Sequence, residues 1–335
     1  MGINLENEEI KRIAALDYGW QKLKNKTVLL SGGTGFIGQY FINVIKYRNE
    51  KFGDNIRVFS LSRHARQNEA NVTYLQADVT KCVDVNGRID FILHLASNTH
   101  PKQYSEDPVG TVTTNIFGCY NLLELARKTG AKRFLLASSV EVYGEGTQKP
   151  MDESFCGPID CNSSRAGYNE AKRLCESLCQ SYRAQYGIDC VIARFARCFG
   201  YDTKNDTKAV AQFLKKAVDG EDIILKSEGK QRFSYCYVGD AVSAIFKILL
   251  DGADGEAYNI SDDDENKTLG DYANLIASFA GKKVTFDFDK SKNLGVSKAN
   301  FALLDCAKLK ALGWQPLWTV SGALQETYKK YLQNK

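Results

Sequence analysis

Long apolar runs are missing from this chain of 335 residues. None approaches the roughly 20 residues that span a bilayer, so no membrane helix is expected. Blocks of like charge are missing too: 44 Lys and Arg stand against 40 Asp and Glu, a net charge of +4, with no run of five or six of one sign. That removes the electrostatic footprint of a nucleic-acid or membrane-surface partner and leaves a small molecule as the expected one. The ten cysteines never show Cys-x-x-Cys spacing and there are only three histidines, so no metal site is expected. Such cysteines read as small core residues of a reducing compartment, with Cys175 and Cys179, on one helix face, the pair to check. Residues 1–20 mix Glu6, Glu8, Glu9, Lys11 and Arg12 with isolated apolar residues, unlike the unbroken apolar core of a signal peptide. A cytoplasmic protein is the expectation. No internal repeat or low-complexity tract interrupts the chain.

What is present is ordinary globular composition, 25% charged and 44% hydrophobic. The length exceeds what one core fills, roughly 250 to 300 residues, which predicts a large domain and a smaller lobe. Apolar runs at 27–31, 56–62, 72–76, 89–96, 133–139 and 189–195 alternate with helical patterns such as 109–129 and 165–186. That alternation predicts an α/β fold, a Rossmann-type doubly wound parallel sheet with a smaller C-terminal substrate lobe. After Gly200 the elements shorten: helix 206–219, strands 222–225 and 234–238, helix 239–251, strand 256–260, helix 268–280 and helix 319–333. The expected division is an N-terminal helical extension over 1–22, laid on the outside, a dinucleotide-binding domain over 23–200 and 236–256, and a substrate lobe over 201–235 and 257–335.

Directly after the first predicted strand comes Gly32-Gly33-Thr34-Gly35-Phe36-Ile37-Gly38, satisfying Gly-x-Gly-x-x-Gly from Gly33 and Gly-x-x-Gly-x-x-Gly from Gly32. Glycines at this spacing turn the chain tightly, let backbone approach a pyrophosphate and let helix pack on strand. The phosphates then meet the free N–H groups and dipole of the following helix. The second strand, Arg57 to Ser62, lacks the terminal acid that bonds the ribose 2′-hydroxyl of NAD. Arg63 or Arg66 there suits a 2′-phosphate or lies solvated on a surface loop, so NAD or NADP is expected, with a lean to NADP. Asp78, after strand 72–76, is placed for the adenine. Strand 133–139 ends in Ser138-Ser139, and the next helix carries Tyr168 and Lys172 four residues apart, on one face. A neighbouring ammonium and a cationic nicotinamide both favour the phenolate, which makes the tyrosine a base at neutral pH. The order of glycine turn, strand-end serine and Tyr-x-x-x-Lys carries more weight than any one of them.

With those motifs in order, the chain resembles the extended short-chain dehydrogenase/reductase family, and within it the NAD-dependent epimerase/dehydratase group acting on nucleotide sugars. Asp78-Val79, His94-Leu95-Ala96-Ser97, Thr114-Asn115, Glu141-Val142-Tyr143-Gly144, Tyr168 to Lys172, Tyr237-Val238-Gly239-Asp240 and Leu312-Gly313-Trp314-Gln315-Pro316 carry the resemblance over nearly the whole chain. It implies cofactor contacts from Gly32, Thr34, Gly35, Phe36, Ile37, Gly38, Arg63, Asp78, Val79, Leu95, Ala96, Ser97, Asn115, Tyr168 and Lys172. It also implies that Ser139 bonds the substrate oxygen, Tyr168 moves its proton, Lys172 holds the nicotinamide ribose, and two copies pair through helices 112–129 and 166–185. The product of the first step would be a 4-keto sugar.

Departures from the family pattern divide the possible outcomes. Similar dehydratases carry Asp-Glu after the catalytic Ser or Thr; here the pair is Val140-Glu141, and valine donates no proton. Similar decarboxylases carry Thr-Ser-Glu there and an arginine shortly before Tyr-Val-x-Asp. Here Glu141 is retained as a catalytic or a structural carboxylate, while Arg232, a candidate to bind the substrate, comes one residue early and Phe233 takes the arginine's place. Arg197 replaces an asparagine of the family and either faces an anionic substrate group or is solvated. The leading expectation is 4-epimerisation or UDP-glucuronate-type decarboxylation with a recycled cofactor. The alternatives are a net NADP(H)-dependent oxidoreductase, a 4,6-dehydratase, and a dinucleotide sensor that would need no proton relay.

Overall fold

The computed structural model describes residues 7–97, 106–163, 165–202, 208–262, 267–288 and 300–335. Residues 1–6 of the expected extension and 206–207 of the expected helix lie outside the described residues. The central sheet has seven strands in the order β3-β2-β1-β4-β5-β6-β11, all paired in parallel. These are β1 (Thr27–Ser31), β2 (Arg57–Ser62), β3 (Val72–Gln76), β4 (Phe91–His94), β5 (Arg133–Ser139), β6 (Cys190–Phe195) and β11 (Ala257–Ile260). All five residues of β1 and all four of β4 are buried, which is why they read as unbroken apolar runs. Val28 and Leu30 face one core while Leu29 faces the other, as the two-residue period of a strand requires.

On the first face lie α1 (Glu8–Ala14), α2 (Phe36–Phe52) and α6 (Val238–Asp251); on the second lie α3 (Pro108–Thr129) and α4 (Ala166–Tyr186). Each long helix is stopped by a left-handed glycine: Gly53 after α2, Gly130 after α3 and Gly187 after α4. None of the described helices is long and apolar enough to cross a membrane.

Three short parallel strand pairs lie outside the central sheet. These are β7 (Arg197–Phe199) with β10 (Tyr235–Tyr237), β8 (Ile223–Leu225) with β12 (Val284–Phe286), and β9 (Arg232–Phe233) with β13 (Phe301–Ala302). Helices α5 (Ala209–Val218), α7 (Leu269–Phe279) and α9 (Val320–Gln333) pack on one another there, with the short α8 (Ala307–Ala311) beside β11. Trp314, fully buried, donates its indole N–H to Ser243 Oγ at 2.9 Å and pins the C-terminal segment to α6.

One expectation is corrected. The boundary at 256/257 is too early, because Ala257 to Ile260 pair with Ile192 to Phe195 as the outermost strand of the large sheet. The N-terminal helix is amphipathic and lies on the outside as expected: Glu8 and Arg12 are exposed, while Ile10, Ile13 and Ala14 are fully buried against the first core. Glu9, also buried, takes a hydrogen bond from the Tyr237 hydroxyl and pairs with Lys330 Nζ at 2.6 Å.

Candidate active site

In the sheet order, β2 lies on one side of β1 and β4 on the other. A crevice opens where the winding reverses, at the carboxyl ends of the strands. The loop after β1 meets the loop after β4 so closely that a Cβ on Gly32, whose φ is +76°, would lie 2.7 Å from the Ala96 nitrogen. On Gly38 it would lie 2.3 Å from the Gly32 oxygen, and on Gly33 2.3 Å from Ser60 Oγ. Gly35 is the residue ahead of α2, and no side chain caps that helix. The first N–H groups, from Phe36 to Gly38, are therefore presented to a ligand. The Thr34 carbonyl is held by Gln39 Nε2 at 2.7 Å. A cradle without Cβ atoms at the mouth of an uncapped helix fits a dinucleotide pyrophosphate.

The other predicted cofactor residues line the same edge. Leu95, Ala96 and Ser97 follow β4, and Ser97 Oγ donates to Asn115 Oδ1 at 2.9 Å. Asn115, fully buried, gives its own N–H to the Thr111 carbonyl, so its amide clamps the loop after β4 onto α3. Beneath the loop, His94 Nδ1 and Ser31 Oγ are hydrogen-bonded at 2.8 Å, and burial pushes the imidazole down to about 4, leaving it neutral. Asp78 Oδ1 accepts from Thr80 N and Oγ1, both at 2.9 Å. Those bonds, with lesser help from the Lys81 and Arg63 charges, hold its carboxyl below the usual range. A recess of about 420 Å³ opens there, lined by Leu61, Leu75, Ala77, Asp78 and Val83, with Val79 buried at its root. Arg63 is exposed beyond β2, whereas Arg66 is drawn away over the Tyr74 ring at 5.8 Å.

The catalytic candidates converge where β5 ends. Ser139 is extended, and its Oγ takes a hydrogen bond from Glu141 N at 3.3 Å, capping the 3₁₀ turn Val140–Tyr143. Helix α4 is fastened to that turn by Arg173, which donates to the carbonyls of Val142 and Gly157 at 2.7 Å each. The fastening brings Asn169 Nδ2 to Glu141 Oε2 at 3.2 Å and sets Tyr168 beside the strand end. Lys172, buried one turn on, donates to the Ala137 carbonyl at 2.8 Å, and its ammonium stands 5.8 Å from the Tyr168 ring centre. Burial lowers the Lys172 pKa. Ser139, Glu141, Tyr168 and Lys172 thus share one locus at the carboxyl end of β5.

Sequence reasoning missed the frame behind that locus. Arg194 pairs with Glu176 through two contacts at 2.7 and 3.0 Å and also donates to the Tyr143 hydroxyl and the Glu153 carbonyl. Ser138 Oγ donates to Glu176 Oε1 at 2.5 Å. These partners lie 18 to 51 residues apart in sequence, and no spacing rule joins them. Asn169 was the one legible signal, as the neighbour of Tyr168. Cys175 and Cys179, the pair singled out earlier, are buried free thiols of the second core.

Residues 28–261 match the model of the NAD dependent epimerase/dehydratase family. The chain belongs to that family. It is 31% identical over 305 residues to UDP-glucuronic acid decarboxylase 3 of Arabidopsis thaliana, covering 87% of this chain and 85% of that protein. It is 28% identical over 311 residues to UDP-glucuronic acid decarboxylase 1 of Danio rerio, covering 91% and 72%. Among solved structures, a UDP-glucose 4-epimerase of Thermotoga maritima superposes with a TM-score of 0.76 at 22% identity, covering 92% of this chain and 99% of that one. A dTDP-glucose 4,6-dehydratase of Streptomyces venezuelae with NAD bound reaches 0.78 at 23% identity, covering 92% and 97%. At that identity the two structures speak for the Rossmann-like fold alone.

Proposed function

We propose that this enzyme modifies a nucleotide-linked sugar through a transient 4-keto intermediate, with UDP-glucuronate-type decarboxylation as the reaction the site fits best. The observation that carries the reading is the convergence of Ser139, Tyr168, Lys172 and Glu141 at the end of β5, in the same sheet whose β1 runs into the glycine cradle. Bound NAD or NADP supplies reversible hydride acceptance. Within the chain, Tyr168 takes the proton of the sugar C4 hydroxyl, Ser139 holds that oxygen, and Lys172 places a positive charge beside the phenol. With C4 a ketone, a C6 carboxylate becomes a β-keto acid. Its C5–C6 bond then breaks with release of CO2, the electron pair passing into the enolate, and C5 takes up a proton. Glu141, held by Asn169, is the carboxyl that serves C5. Tyr168 returns its proton to O4 as C4 is reduced again, and the proton that replaces CO2 at C5 comes from the Glu141 carboxyl, which is reprotonated from water, so atoms and charge balance without a second substrate.

Two departures favour 4-epimerisation as the second reading: Val140 where decarboxylases carry serine, and Phe233 where they carry arginine. Mass spectrometry of products from UDP-glucuronate and UDP-glucose decides, since decarboxylation removes CO2 and epimerisation leaves mass unchanged. A nucleotide released on denaturing the purified protein supports internal recycling of the hydride. An empty protein that consumes free NADP(H) refutes it.

Three finer features belong to the same reading. NADP is preferred, because Arg63 stands next to Asp78 and no acid ends β2. The protein pairs with a second copy, because Val109, Phe117 and Tyr120 of α3 and Leu174 and Tyr186 of α4 are 44 to 71% exposed on two helices that pack side by side. Free thiols throughout suit the reducing cytoplasm.

A further inference from the structure

Arg232 and Phe233 are neighbours on β9, so their side chains leave opposite faces of the strand. The backbone of Arg232 bridges that of Thr268 in antiparallel sense, and its charge is close enough to act on Asp271. Nearby, the Asp271 carboxyl is held below the usual range by Thr268, with smaller help from Lys267 and Arg232. Phe233 takes the other side, and there the Arg197 guanidinium lies 3.7 Å over its ring. A one-residue difference along a strand is therefore enough to remove Arg232 from the place where Arg197 arrives.

Arg197 sits at the active edge. It begins β7 two residues beyond Phe195, which pairs with Ser139 across β5 and β6. Three residues further on, a Cβ at Gly200 would lie 3.0 Å from the Phe36 ring of the cofactor loop. The guanidinium is half-buried, and its Nη1 is fully buried without a hydrogen-bond partner among the described residues. Stacking on an aromatic face orients a guanidinium but leaves its in-plane N–H groups unused. Lys208, half-buried at the start of α5, adds a second positive charge close by; burial first, and then Arg197, lowers its pKa, while Asp202 opposes them. A buried donor fork beside a second cation is complementary to an oxyanion.

We propose that Arg197, braced on Phe233, is the residue of the substrate cleft that recognises an oxyanion of the nucleotide sugar, reaching from β7 into the place where an arginine at 233 would stand. The proposal deepens the nucleotide-sugar reading and rests on it. The oxyanion belongs either to the diphosphate or to a sugar carboxylate, and binding measurements tell them apart.

Isothermal titration of the cofactor-loaded protein with uridine, UDP, UDP-glucose and UDP-glucuronate is the test. Arg197→Asn should weaken binding by about 10- to 100-fold, the range for losing one charged hydrogen-bonding partner, and leave uridine unaffected. Loss for all three diphosphates assigns the diphosphate; loss confined to UDP-glucuronate assigns the carboxylate. The double exchange Arg197→Asn with Phe233→Arg should recover most of the affinity, which a merely structural role for Arg197 would not allow. Arg197→Lys, which keeps the charge and loses the flat fork, should fall between the two and serves if the asparagine variant does not fold. Unchanged affinity of Arg197→Asn for every ligand overturns the proposal and leaves the nucleotide-sugar reading standing. A wild-type protein that binds none of the diphosphates overturns the reading itself.

Discussion

Asp240 offers a quantitative test of how the C-terminal segment is held. It is 1% exposed on α6; its Oδ1 accepts the Leu317 N–H at 2.5 Å, and its Oδ2 has no hydrogen-bond partner among the described residues. Burial above all, with the nearby Asp262 charge adding, raises its pKa to about 7, against bonds from Leu317 and Trp318 and the Arg12 charge that pull it down. In the unfolded chain the same carboxyl titrates near 3.9. The folded state thus favours the protonated acid, so the penalty is absent below about pH 4, grows as pH rises, and is complete above pH 7. A difference of about 3 units at 1.36 kcal/mol each sets an upper bound of about 4 kcal/mol. Asp240→Asn keeps the acceptor for Leu317 and removes the ionisation. With an unfolding entropy of about 0.7 kcal/mol/K for a chain of this length, the variant should melt up to about 6 °C higher than wild type at pH 8.5. The gap should close toward pH 4. Thermal melts followed by circular dichroism across that range measure it, and an asparagine variant less stable at pH 8.5, or a gap that does not shrink with acid, refutes the account.

Tyr168→Phe should lower turnover by about 10²- to 10⁴-fold, the worth of a positioned base, while titration with NAD or NADP shows unchanged affinity; comparable turnover would remove Tyr168 from the mechanism. Gly38→Ala should abolish dinucleotide binding, because its Cβ would meet the Gly32 oxygen at 2.3 Å, whereas Gly35→Ala, at 3.1 Å from the same atom, should be the milder change. Fluorescence titration with NADPH ranks the two, and equal losses would argue against the packing explanation. Arg63→Ala should raise the Kd for NADP by about tenfold and leave that for NAD within about twofold, the cost of one exposed charged contact. Parallel loss for both cofactors would show that Arg63 does not read the 2′-phosphate.

Local patterns were enough for most of the fold. Strands β1, β3 and β5 fall on the very residues that their apolar runs mark, and α3, α4, α6 and α9 start and stop within a residue or two of their patterns. β1 is buried along its whole length and α3 and α4 are each stopped by a left-handed glycine, so their geometry is written into consecutive residues. The glycine loop, Ser139 and the Tyr168–Lys172 pair were legible for the same reason: each lies within a few residues of a strand end or within one helical turn.

What neighbouring residues do not encode is closure over distance. Only the tertiary structure joined β11 to β6, tied Glu9 of the short α1 helix to Tyr237 and Lys330, and set Arg194 on Glu176 behind the site. It also brought Arg197 over the Phe233 ring from a different strand, while the charge of Arg232 acts on Asp271. Composition and spacing determined which chemistry this chain carries; which side chains face the cleft depends on contacts between residues tens or hundreds of positions apart, and those exist only once the chain has closed on itself.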